Sequence, residues 1–180
     1  MFEGTSIRLL AGCAFTSLLV VASVSDLRSR RIPNKVVAWL AVLGLVFSTT
    51  TLPGFRGLLF GLAGLGVGFA IWFPFYPLRL LGAGDVKLFA AASAWLGPAL
   101  TFKAALIAMI AGGVLALVVL ALQRRLREGA EQTALLWTSW TRLRQFRAAV
   151  PVSQASRQLP YGVALAIGAA TAAWFPGLSF

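Results

Sequence analysis

The sequence predicts an all-α, polytopic membrane protein with six transmembrane helices, and three observations carry that prediction. Hydrophobic residues make up 59% of the 180-residue chain, and its mean hydropathy is +0.84. Charged residues are 12% of the total, about half of the ~25% usual in globular domains. The apolar residues fall into six runs, separated by proline, glycine or basic clusters. A soluble domain of this size has too little interior to hide so much apolar surface, so most of it is expected to face lipid. Residues 1–180 read as a single membrane domain without internal repeats.

Residues 7–25 are apolar apart from Arg8 and form the first expected span. Two other readings attach to this stretch. A cleaved signal peptide would use the small residues from Val21 to Ser25, but Arg28, Arg30, Arg31 and Lys35 just behind them resist translocation. A lipoprotein box at Leu10-Ala11-Gly12-Cys13 has too few apolar residues ahead of the cysteine. A retained span is preferred. In the basic turn at 27–35, Pro33 stops the helix and Asn34 offers an N-cap for the next one. The second span is 36–52, followed by a tight turn at Pro53-Gly54. The third covers 57–76, where Gly57, Gly61, Gly64 and Gly68 are spaced to let another helix approach closely. Pro74 and Pro77 end it, and Arg79 marks the interface.

The fourth span is expected from Val86 to Leu100, short for a bilayer core about 30 Å thick. Lys103 separates it from the fifth, at 104–122. A polar segment at 123–158 follows, in which Leu136, Trp140, Leu143 and Arg147 keep helical spacing. It reads either as an amphipathic helix at the headgroups or as a helix covering the protein's own surface. The sixth span is 159–176, with Gly162, Ala166 and Ala170 spaced for close packing.

The net charge of +11 raises the question of nucleic acid, but its placement answers it. If the loops after spans one, three and five face the cytoplasm, they hold 13 of the 16 basic residues, leaving Arg8, Arg56 and Lys103 outside. That asymmetry is the positive-inside pattern of an inner-membrane protein with both termini outside. No nucleic-acid partner is expected. Anionic lipid at the cytoplasmic face is, at about 1 kcal/mol per basic residue near the surface.

Absences narrow the chemistry. With no histidine there is no Ser-His-Asp or Cys-His catalysis, and Cys13 alone makes no disulfide or cysteine metal site. No metal or cofactor is expected. A Ser-Lys protease is conceivable from Lys35, Lys87 and Lys103, but none pairs recognisably with a serine. The remaining candidates are acids, and the only aspartates are Asp26, closing span one, and Asp85, opening span four within Leu-Gly-Ala-Gly-Asp-Val-Lys-Leu at 81–88. Two crossings separate them, so they share a membrane face and a depth. An ionisable group beside a span is costly enough to suggest function. Paired carboxylates cleave an amide when one takes a proton from water and the other protonates the leaving nitrogen. Helix ends suggest the roles: Asp85, at a helix start, as base, and Asp26, at a helix end, as acid. Taken singly, each has a plainer reading, Asp85 as an N-cap and Asp26 as an interfacial charge. Gly82 and Gly84 would either permit unusual backbone angles or admit a substrate strand to Asp85. Lys87 reads first as an interface anchor and second as a partner for a substrate acid.

Asp26 followed by Arg-Ile-Pro-Asn at 31–34, Gly-Ala-Gly-Asp-Val-Lys at 82–87 and Leu-Pro-Tyr-Gly-Val-Ala at 159–164 together resemble the type IV prepilin peptidases. The resemblance is closest to the short peptidases of Flp-type, tight-adherence pilins. It implies an intramembrane aspartic protease that removes a short basic leader from prepilins at the cytoplasmic face, with Asp26 and Asp85 as its catalytic pair. The longer members add an N-terminal segment with paired cysteines and methylate the new N-terminus. Neither segment nor cysteines occur here, so methylation is not expected. A basic leader is not drawn to a basic surface, so recognition is expected to rest on the prepilin's apolar helix packing beside glycine-rich spans. Two functions of other classes stay open on the sequence: a proton- or ion-coupled transport component using the aspartates as a relay, and a structural subunit that binds pilin helices.

Overall fold

The computed structural model describes residues 6–52, 54–77, 80–122, 161–175 and 177. The expected helix within 123–158, together with Pro53, Arg79 and the Leu159-Pro160 pair, lies outside the described residues. The described chain is helical, without strands: α1 (Ser6–Ser29), α2 (Asn34–Thr51), α3 (Phe55–Trp72) with a 3-10 turn at Phe73–Phe75, α4 (Ala83–Leu122) and α5 (Tyr161–Trp174). Four of these are long and apolar enough to cross a membrane, and Tyr161–Trp174 is apolar but shorter.

The break expected at Lys103 is found at Gly97-Pro98, inside α4. Gly97 takes φ 72° and ψ 175°, a conformation essentially closed to residues with a side chain, and a Cβ there would also run into the Phe60 ring. Pro98 lacks the N–H that would continue the helix, but is suited to the first position of a new one. The chain turns back on itself here. In one straight helix Asp85 and Gly112 would stand about 40 Å apart. Instead Gly112 packs on Tyr161, and Tyr161 lies within Coulombic range of Asp85. The two arms, 83–96 and 98–122, therefore run antiparallel, and Lys103 sits inside the second arm. At 1.5 Å per residue the first arm is about 21 Å long.

Small residues set the spacing of the bundle. The glycine stripe of α3 does what its spacing predicts, and serves two neighbours. Gly57 and Gly61 face α2 at Ser48 and Leu45, while Gly64 and Gly68 face the first arm of α4 at Ser93 and Ala90. On α5 the closest approach is at Gly168, against Ala104 and Ala108 of the second arm. At the centre Trp95 is 2% exposed, with ring centroids 5.3 Å from both Phe15 and Phe47, and its indole N–H donates to the Leu40 carbonyl at 2.7 Å. The outside is the reverse of a soluble protein: Leu10, Val21, Trp39, Val46, Leu59, Phe102 and Ile110 are all exposed. Only 22–28% of each candidate span's most apolar window is buried within the molecule, so the remainder is left for lipid.

The turn between α1 and α2 is built differently from the sequence expectation. Arg30 adopts φ 51°, and its N–H bonds the Asp26 carbonyl at 2.9 Å, the left-handed cap that usually falls to glycine. Ser25 and Ser29 then donate to the Arg31 carbonyl, tying the turn back onto α1. Pro33 is the N-cap of α2, with its carbonyl accepting from Val36 and Val37. Asn34 is the first helical residue, and its side chain makes no cap bond.

Candidate active site

The sequence puts Asp26 and Asp85 at one membrane face and leaves their contact open; the structure gathers them at one end of the bundle, within electrostatic range of each other. The last turn of α1 carries Asp26, the first turn of α4 carries Asp85, and the two carboxylates interact electrostatically. Asp26 is 7% exposed, whereas Asp85 is partly open. Among the described residues, the first turns of α4 and α5 and the last turn of α1 converge here.

Each acid accepts one backbone N–H from a glycine. Asp85 is the third residue of α4, not its N-cap. Its Oδ2 reaches back to the N–H of Gly82 at 3.1 Å, half of a capping box, while the Gly82 carbonyl accepts from Asp85 and Val86. Asp26 Oδ2 accepts from the N–H of Gly162 at 3.0 Å, a buried bond spanning 136 positions of sequence. The donors belong to helix starts, where the first N–H groups have no acceptor within the helix. Asp26 thus closes α1 and also faces the start of α5. The helix-end argument that gave the two acids different roles loses its basis, because both now meet a helix N-terminus.

The other expected residues sit nearby in different capacities. Gly82 is the donor to Asp85 and is exposed. A Cβ on it would lie 3.2 Å from Asp85 Oδ2. Gly84 lies beside Ile32, which a Cβ would meet at an ordinary contact distance of 3.5 Å, so the segments at 31–34 and 82–87 are neighbours. Lys87 is exposed at this end of α4. The sequence spacing puts Gly162 among the helix-packing residues. Its place against Asp26 was not legible, because a backbone N–H leaves no mark on side-chain pattern. The one available signal was the tripeptide Pro-Tyr-Gly opening an apolar run after the long polar segment.

What the fold and site define is a helical membrane protein with two aspartates gathered at one end of the bundle. The match to known families agrees: residues 13–117 fit the type IV leader peptidase family, and the chain belongs to that family. The matched stretch holds both aspartates, the turn at 31–34 and the segment 82–87. The chain is also 33% identical, over 97 residues, to the prepilin leader peptidase/N-methyltransferase of Klebsiella pneumoniae. That alignment covers 49% of this chain and 41% of the relative, so the chain matches less than half of the relative's length. No solved structure matches it.

Proposed function

We propose that the chain is an intramembrane aspartic endopeptidase that removes the short basic leader of Flp-type prepilins at the cytoplasmic face of the bacterial inner membrane. The observation that carries this reading is the convergence of Asp26 and Asp85, the only aspartates in the chain, at one end of the bundle. Water held between the carboxylates gives a proton to one of them and attacks the scissile carbonyl. The other, protonated, polarises that carbonyl. As the C–N bond breaks, a carboxylic acid protonates the departing amine, which is the new pilin N-terminus. The glycine N–H bonds hold both acids in place before substrate arrives, which lowers the cost of orienting them.

The reading takes the two arms of α4 as separate crossings and α5 as a further one, six in all, with both termini outside. The basic residues then cluster beside the site, where they meet anionic lipid. The prepilin's apolar helix docks among the exposed apolar faces, and its leader leaves toward the cytoplasm.

The test is cleavage of a Flp-type prepilin by the purified protein in lipid. Asp26→Asn and Asp85→Asn are each expected to lower kcat by about 10²–10⁴-fold, with melting temperatures close to the wild type. Full cleavage by either variant rules out the paired-acid mechanism. Proton flux through the wild type that both variants lose, without any cleavage, assigns the aspartates to transport instead.

A further inference from the structure

Gly162 lies on α5, outside the segments that carry the two acids, yet its main chain bonds the Asp26 carboxyl directly. The N–H to Oδ2 distance is 3.0 Å, and a Cβ built on Gly162 would stand 2.7 Å from that oxygen and 3.1 Å from the carboxyl carbon. Real Cβ atoms do not approach an oxygen so closely. A methyl group here must therefore displace something, and the displaced group is the carboxyl at the free end of a side chain. Asp85 repeats the arrangement with Gly82, whose N–H donates at 3.1 Å and whose Cβ would stand at 3.2 Å. The neighbouring residue of α5, Tyr161, packs over Gly112 of the second arm, where a Cβ would meet its ring at 3.4 Å, and lies within Coulombic range of Asp85.

We propose that Gly162 is a positioning residue of the catalytic pair: its N–H fixes the Asp26 carboxyl, and its missing side chain leaves the space that carboxyl occupies. The proposal rests on the peptidase reading above. It separates Gly162 from the other close-packed glycine of the same helix, Gly168, whose nearest neighbours are Ala104 and Ala108 and which spaces α5 from the second arm of α4.

The two glycines make the experiment. Gly162→Ala replaces glycine with the best helix former, so the helix itself gains. The group pushed aside is the end of a side chain, not backbone. Its melting temperature is expected to equal or exceed the wild type's, while kcat on the prepilin falls about 10²-fold, as for a misplacement of about 1 Å, with KM within about twofold. Gly168→Ala is expected to do the opposite, lowering the melting temperature and leaving kcat per folded molecule unchanged. A second readout needs no turnover. The infrared band of the Asp26 carboxyl, identified by its loss in Asp26→Asn, is expected to move in Gly162→Ala and to stay in place in Gly168→Ala. A wild type that cleaves beside a Gly162→Ala variant with full kcat overturns the positioning role, as does an unmoved band. A Gly162→Ala variant that loses activity only in step with its melting temperature reduces Gly162 to a packing residue. A wild type inert toward every prepilin overturns the peptidase reading itself, and this inference with it.

Discussion

Trp95 and Trp72 show how differently two buried indoles are treated in one core. Trp95 fills the centre of the bundle, stacks on Phe47 with Phe15 tilted against it, and has a hydrogen-bond acceptor 55 residues away on α2. Trp72 is 6% exposed and meets Phe89 edge-on at 5.7 Å, but its Nε1 is buried with no acceptor among the described residues. An unpaired buried donor has already lost its water without recompense. Removing the N–H should then cost little at Trp72 and more at Trp95. Trp95→Phe is expected to destabilise by about 2–3 kcal/mol, from lost packing plus a lost bond. Trp72→Phe is expected to cost about 1 kcal/mol less, since only packing is lost. Equilibrium unfolding of both variants in the same mixed micelles checks the order. Equal losses would mean that Trp72 has an acceptor in the folded protein. Neither tryptophan stood out in the sequence, whereas the aspartates did, for a simple reason. Acids are so scarce here that each must be explained, while an indole in an apolar run looks like any other bulky side chain.

The helices themselves divide the same way. Long apolar runs, the basic turn at 27–35 and the glycine stripe of α3 were all readable, because each depends on hydropathy or spacing alone. The reversal inside α4 falls at Gly97, six residues ahead of Lys103, where the sequence predicts it because a charge in an apolar run looks like the end of a span. In fact a lysine can lie within a helix and extend its ammonium toward water. Gly97-Pro98 was the stronger signal, since one residue permits the backbone angle and the other forbids the helix that would bypass it. Gly97→Ala tests this. The substitution meets an unfavourable backbone conformation, about 1–3 kcal/mol, and in addition drives a methyl group into Phe60. It is expected to destabilise the protein by more than 3 kcal/mol in total and to cut the yield of folded protein. Gly66→Ala, where a Cβ meets nothing within 4 Å, is the control and should be silent. A Gly97→Ala variant as stable as that control would mean the chain does not reverse at this point.

For the molecule as a whole, the reversal decides how often the chain crosses the bilayer. With α4 as two arms, α1, α2 and α3 alternate in direction, the arms of α4 continue the alternation, and α5 starts again at the end that holds Asp26. The opposite directions of α2 and α3 bring the chain back to the end that holds Asp26, the Asp26–Gly162 bond puts the start of α5 at that same end, and the first arm, about 21 Å against a hydrocarbon core of about 30 Å, is short for a crossing. The charge pattern then predicts the side. Among the described residues, Arg28, Arg30, Arg31, Lys35 and Lys87 lie on the helix ends and the turn that carry the aspartates, whereas Arg56 opens α3 at the other end, and the positive-inside rule then predicts that the aspartate end faces the cytoplasm. The single native cysteine makes the arrangement testable. In a Cys13→Ala background, Arg30→Cys and Arg127→Cys are expected to react with a membrane-impermeant thiol reagent only in inside-out vesicles. Gly54→Cys, at the turn between α2 and α3, is expected to react only in right-side-out ones. If Gly54→Cys and Arg30→Cys react from the same side, α2 does not cross and the alternation fails. If Arg30→Cys and Arg127→Cys react from opposite sides, the arms of α4 do not count as two crossings. Labelling of the first two from within and the third from without fixes both acids at the face where a leader emerging from the ribosome would meet them.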